Sequence, residues 1–333
     1  MKFQKTKCIF AASILFLLIL DGKTAMESAR DGINLCLQSV VPSLFPFFVC
    51  SVYLTHMLSG NNQLRLKPVH LFFQIPTGAE PLLLTSFLGG YPVGAQCIAS
   101  SKNAGCLTHS QACKMISFYN QAGPAFLFGI VGPQFSNSAF SWCIWAVVIL
   151  SGAIVSQVLT VDKTSPCNLL EFEQYTLPEA MASALRSMGK VCGWVIIFRV
   201  ILGFLQRWVL WSLPLTIQVL FTGFLELANG CSLLKHIPQE DLRFIIACAI
   251  LSFGGLCVTM QTQSVALGLD MRNYMIGKLL QMLFAVLIAF GLVLLSRPGT
   301  LWIGTGCILL CIFPFFSVPF RNRKKGVAFS RKM

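Results

Sequence analysis

A break placed where a membrane helix should run on constrains this chain more than any other feature. Residues 85–95 read TSFLGGYPVGA, with Gly89, Gly90 and Gly94 surrounding Tyr91-Pro92 inside an apolar stretch. Glycine lets backbones approach closely, and proline removes a hydrogen-bond donor and clashes with the preceding turn. In hydrocarbon such a backbone survives only if protein buries it or if it lines a watery cavity. Two readings are open at this point. One is a discontinuous segment near the bilayer midplane, where transporters place their sites. The other is a kinked helix whose small residues serve close packing.

Composition implies the bilayer. Of 333 residues, 55% are hydrophobic and 11% charged, with mean hydropathy +0.72. Soluble domains carry about a quarter charged residues, so the chain is expected to be polytopic. A net charge of +13 would point to nucleic acid in a soluble protein. Here much of the excess sits at the ends, on Lys2, Lys5 and Lys7 and on Arg321, Arg323, Lys324, Lys325, Arg331 and Lys332. Basic flanks set topology, which places both termini on the cytoplasmic side and makes nucleic acid a poor second reading. The 14 cysteines lie mostly in apolar runs without a CxxC pair, as small buried hydrophobes do. His56, His70, His109 and His236 are scattered and form no ligand pattern. Neither a metal nor a cofactor is expected.

Residues 1–32 read as a first transmembrane helix, Cys8–Leu20, and an outside loop with Asp21, Lys23, Glu27, Arg30 and Asp31. A signal peptide cleaved near Ala25 is the alternative; the retained helix agrees with an even number of crossings. Residues 33–160 make a first repeat. It has a span over 33–58 containing Pro42 and Pro46, a cytoplasmic loop over 59–67, a re-entrant hairpin over 71–101, and spans over 112–131 and 140–159. Residues 161–186, with Asp162, Glu171, Glu173 and Glu179, are a polar cytoplasmic linker. Residues 187–296 make a second repeat: a span over 191–205 after an amphipathic run, the broken stretch LFTGFLELANG, and spans over 244–261 and 275–295. Residues 297–333 add a last span and a basic cytoplasmic tail.

Phe87-Leu88 corresponds to Phe224-Leu225 in this scheme, and Ser117-Phe118 to Ser252-Phe253. A unit of three crossings and a hairpin that does not cross inverts its successor. The expected fold is an all-α polytopic membrane protein with about eight transmembrane helices and two re-entrant hairpins in an inverted repeat.

Glu226 is the sharpest candidate for chemistry, an acid inside an apolar run, where ionisable groups face a cavity or a partner. A structural or coupling pair with Arg199, which interrupts VIIFRVIL, is the competing role. Asn229 follows three residues later, beside Gly230. In the first half, Ser117, Asn120 and Gln121 place a hydroxyl and two amides before Gly123-Pro124. Ser252 opens the sequence SFGG. Uncharged hydrogen-bonding groups beside loosened backbone suit a small polar solute, although each alone also fits interhelical bonding. The expected solute site comprises Gly89, Gly90, Tyr91, Pro92, Gly94, Ser117, Asn120, Gln121, Glu226, Asn229 and Ser252. No GxSxG, P-loop or HExxH occurs, so an enzyme is not expected and catalytic residues are assigned to none. Without a nucleotide-binding domain, transport would be facilitated or coupled to a proton or sodium ion.

The segments VVPSLFPFF (40–48), SFLGGYPVGA (86–95), SFYNQAGP (117–124), FLELANG (224–230) and SFGG (252–255) together resemble the sporulation integral membrane protein YlbJ family, which contains the nucleoside-recognition Gate domain. The resemblance implies a multi-pass protein of the cytoplasmic membrane of a spore-forming bacterium, linked to sporulation. It also implies hairpins like those of nucleoside transporters, with a nucleoside-like solute held by Gly90–Gly94, Asn120, Glu226 and Asn229. The expected partners are the lipid bilayer, a small polar solute, and a second copy or other sporulation membrane proteins. A non-transporting membrane scaffold in spore formation is the alternative.

Overall fold

The structure, a computed structural model, describes residues 15–59, 72–159 and 176–312 together with Ile9, Ala12 and Val69; of 55–59 and 298 only the backbone is described. The described residues are helical and loop, without a strand. Of the expected first span over 8–20, Ile9, Ala12 and residues 15–20 are described, as helix. The loop residues Arg65 and Lys67, the acids Asp162, Glu171 and Glu173, and the basic tail lie outside the described residues.

The first half opens with a rod: α1 (Gly22–Leu35), a π-helical turn (Cys36–Val40) and α2 (Val41–Ser59). Pro42 cannot donate to the carbonyl four residues back, and the widened turn falls on that stretch. A hairpin follows, α3 (Glu80–Gly89) and α4 (Val93–Asn103). Next comes a broken helix, α5 (His109–Tyr119) and α6 (Pro124–Phe126), which runs on into a π turn, Leu127–Val131. A full span, α7 (Ala139–Val158), closes the half.

The second half has the same order. Its rod is α8 (Leu177–Trp208), its hairpin α9 (Leu215–Leu225) and α10 (Leu227–Leu233), its broken helix α11 (Glu240–Phe253) and α12 (Gly255–Val265), and its span α13 (Met271–Leu295). A short apolar helix, α14 (Leu301–Ile312), follows. Phe87-Leu88 and Phe224-Leu225 end the first arms of the two hairpins, and Ser117-Phe118 and Ser252-Phe253 end the first parts of the two broken helices.

Three expectations are corrected. Residues 22–31 are not a loop but the start of α1, capped by Asp21, which accepts from the Thr24 amide. The separate amphipathic run and short span over 191–205 are one 32-residue helix, α8, begun by a Thr176–Glu179 capping box, so residues 177–186 are helix and not linker. The spans over 112–131 and 244–261 are each interrupted. Gly254 and Gly255, at φ +85° and +80°, stop α11, and the extended Asn120–Gly123 stretch stops α5.

Helices α1 and α8 run antiparallel. They are joined by Arg207–Asp21 at 3.3 Å and Arg199–Asp31 at 2.9 Å, and by Gly32 and Gly203, which seat on the facing helix. Five helical stretches are long and apolar enough to cross a bilayer among the described residues: Gly22–Leu54, Ala139–Val158, Leu177–Trp208, Glu240–Val265 and Met271–Leu295. The distribution of polarity agrees with that environment. Ile19, Leu310 and Trp302 point outward, while Asn120, Gln121, Thr262, Lys278 and Gln281 are buried. Apolar groups outside and amides inside suit a hydrocarbon solvent.

Candidate functional site

The site is built from the backbone breaks. Gly90 ends α3 at φ +69° and ψ −159°, a region open to glycine. A Cβ there would lie 2.5 Å from the Gly123 amide nitrogen, so hairpin and broken helix cross main chain on main chain. Gly89 lies against Ser51 and Val93. Gly94 lets Ser86 approach, and the Ser86 hydroxyl donates to the Tyr119 carbonyl at the end of α5. Tyr91-Pro92 is a cis peptide, and Pro92 precedes the first turn of α4. The second half repeats the arrangement: Gly230 seats on Gly223, and a Cβ on Gly255 would lie 3.0 Å from the Gly223 carbonyl oxygen.

Two side chains project from these breaks into one cavity. Tyr91 donates its hydroxyl to the Leu251 carbonyl at 2.5 Å. That carbonyl belongs to the last turn of α11, whose helical partners end at the Gly254 break. Glu226 is the N-cap of α10. Its Oε1 accepts from the Ala228 amide at 3.1 Å, and its Oε2 accepts from the Asn229 amide at 2.6 Å and from Asn229 Nδ2 at 2.7 Å. Tyr91, Gly123, Glu226, Ala228, Val258 and Gln261 line a cavity of about 30 Å³. That volume holds roughly two water molecules.

Arg199 makes no direct ion pair with Glu226, although its charge acts on the Glu226 carboxylate from farther off. Its guanidinium donates to Asp31 Oδ2 at 2.9 Å and to Gln206 at 3.0 Å, while Glu226 is occupied by the backbone of its own cap. Asp31 is 56% exposed, and ion pairs of that exposure contribute about 0–1 kcal/mol. Arg199→Ala is therefore expected to lower stability by no more than about 1 kcal/mol, read as a small change in the unfolding midpoint of purified protein.

A second polar cluster shares Tyr91. Asn120 donates from Nδ2 to Thr262 Oγ1 at 2.7 Å and to the Tyr274 hydroxyl at 3.4 Å. Its Oδ1, the Gln121 Oε1 and the Ser252 hydroxyl are buried without a hydrogen-bond partner. Gln121 donates to the Phe118 carbonyl and lies against Gly152 of α7. Ser117 turns away: it donates to the Lys114 carbonyl and packs on Gly277 of α13, so its role is helix contact. Thus Gly90, Tyr91, Asn120, Glu226 and Asn229 gather at or beside the junction, whereas Gly89, Pro92, Gly94 and Ser117 serve packing.

Sequence reasoning passes over Thr262, Tyr274, Gln281 and above all Lys278. Lys278 is fully buried on α13, donates to Gln281 Oε1 at 2.9 Å, and lies over the Tyr91 and Tyr274 rings. A lone lysine in the run GKLLQMLFAVLIAF is the signal that could have found it.

An all-helical, multi-pass membrane protein with two broken segments packed tip to tip is the class that this fold defines. The chain is 25% identical to the sporulation integral membrane protein YlbJ of Bacillus subtilis (strain 168), over an alignment that covers 87% of this chain and 83% of that one. The likeness runs through most of both chains and supports the resemblance to the YlbJ family read from the sequence. No family model matches the chain. No solved structure matches it either.

Proposed function

We propose that this chain is a transporter-like protein of the Gate type in the cytoplasmic membrane, both termini cytoplasmic, which binds or moves a small polar solute where its two broken segments meet. The observation that carries this reading is the shared cavity, into which one half brings Tyr91 and the other Glu226. Rod, hairpin, broken helix and span follow each other twice, as expected if residues 33–160 and 187–296 are inverted units. A nucleoside-like solute suits the inventory, with an aromatic ring in Tyr91, an acceptor in Glu226 and an amide in Gln261 set among apolar side chains such as Leu44, Phe126 and Val195. Because about 30 Å³ admits water and not a nucleoside, solute entry requires the tips to part. The likeness to a sporulation protein links the activity to spore formation.

The test is a thermal-shift screen of purified protein against nucleosides, bases and other small polar solutes. At least one class is expected to raise the unfolding midpoint of the wild type. The rise is expected to disappear in Glu226→Gln and Asn229→Ala. A non-transporting scaffold is the second reading, for which the polar segment 162–179 and the basic carboxyl tail would supply the surface for partners. No shift with any solute, together with normal sporulation of a deletion strain carrying either variant, would select the scaffold.

A further inference from the structure

Lys278 does not line the solute cavity proposed above, and its burial is costly. It is 0% exposed in the second turn of an apolar spanning helix, Met271–Leu295. Among the described residues, no carboxylate lies within ion-pair distance. Its single hydrogen bond goes to Gln281 Oε1 at 2.9 Å, and Gln281 is itself fixed by donating to the Val148 carbonyl at 3.1 Å. The remaining surroundings are two ring faces, Tyr91 at 5.5 Å and Tyr274 at 5.9 Å, both within cation–π range.

Both tyrosines are tied to helix breaks. Tyr91 caps the Leu251 carbonyl at the carboxyl end of α11, and Tyr274 bonds Asn120 at the carboxyl end of α5. The two rings that face the ammonium are thus each bonded, through their hydroxyls, at the carboxyl end of a half-helix. In transporters with discontinuous helices, unwound carbonyls and half-helix carboxyl ends are what hold a coupling cation. The elements packed on α13, namely α5, α7 and α11, bring no buried carboxylate, and α5 adds the part-buried Lys114. The buried face of α7 carries no titratable side chain, that of α11 carries Cys248, and that of α5 carries Cys113 and Tyr119. Glu226 belongs to the cavity that Tyr91 also lines.

We propose that the Lys278 ammonium is a tethered replacement for a coupling metal ion, holding a monovalent-cation position between the two broken helices and making solute binding independent of sodium. This rests on the reading of the chain as a solute-binding membrane protein. Removing the side chain leaves Gln281 Oε1 without its donor, in a space faced by the Tyr91 and Tyr274 rings. A free alkali cation enters that space and takes the amide oxygen and the two ring faces in place of the ammonium.

The experiment compares unfolding midpoints of purified full-length protein in choline, potassium and sodium chloride at equal ionic strength, without solute. Wild type is expected to give one midpoint in all three salts. Lys278→Ala is expected to have a lower midpoint in choline and to regain roughly 5 °C in sodium or potassium chloride. Lys278→Met, which refills the space without charge, is expected to show no salt response. A sodium-specific rise in the wild type overturns the proposal. So does a monodisperse Lys278→Ala protein that is indifferent to salt; if that variant does not fold, Lys278→Gln is judged by the same criterion. No solute enters these arms, so a failed solute screen would sink the transporter reading and leave the Lys278 assignment standing.

Discussion

Gly90→Ala is expected to destabilise the protein by about 3 kcal/mol or more. Two costs combine. The backbone at φ +69° and ψ −159° is one that a side chain rarely adopts, and the new Cβ would meet the Gly123 nitrogen at 2.5 Å. Backbone, unlike the end of a long side chain, cannot swing aside. Gly105→Ala separates the two costs, since Gly105 has φ +77° but nothing within 4 Å of its Cβ position. That variant is expected to lose only about 1 kcal/mol. Unfolding midpoints of both purified variants check the difference, and equal losses would mean that the crossing with Gly123 carries no weight.

The second large effect is at Glu226. Its carboxylate receives three hydrogen bonds, two from amides that begin α10 and one from the Asn229 side chain. Glu226→Ala leaves the Ala228 and Asn229 amides buried without acceptors, and each orphaned donor costs about 1–3 kcal/mol. A total loss of about 3 kcal/mol is expected, moderated by whatever water the adjoining cavity admits. Glu226→Gln keeps one oxygen and one rotamer family, so its loss is expected to be well under half of that. The pair separates capping from recognition. If Glu226→Gln retains the wild-type midpoint while solute binding vanishes, the carboxylate serves the solute as well as the helix.

Much of this architecture is legible in the residues, and the reason is physical. Glycine and proline within apolar runs have few uses, so TSFLGGYPVGA and LFTGFLELANG mark the two hairpins directly. The pairing of Phe87-Leu88 with Phe224-Leu225 also falls at corresponding helix ends. Other features stay hidden because they depend on partners distant in the chain. The helix over residues 22–31 has a local signal in the Asp21 cap, but the partners of Asp31 and Thr24, Arg199 and Arg207, lie far along the sequence. For the same reason Arg199 looks available to Glu226 until Asp31 is seen beside it. Gly254-Gly255 announces a weak point, whereas Asn120–Gly123 reads as an ordinary kinked span until Gly90 is found lying across it. The amide and ammonium cluster needs α5, α12 and α13 at one place, and no spacing rule predicts that.

The glycine crossings also decide which positions can change what the cavity accepts. At Gly90 on Gly123, and at Gly223 beneath Gly230 and Gly255, main chain fills the available room, so these points offer an engineer no freedom of size or charge. Retuning has to come from the side chains that border them: Tyr91 and Gln261 for hydrogen bonding, Ala228 and Val258 for volume. Enlarging the cavity through Val258→Gly or Tyr91→Phe changes its shape and polarity while leaving the crossings intact. Under the proposed function, the same fold would be redirected to other solutes without rebuilding its tips.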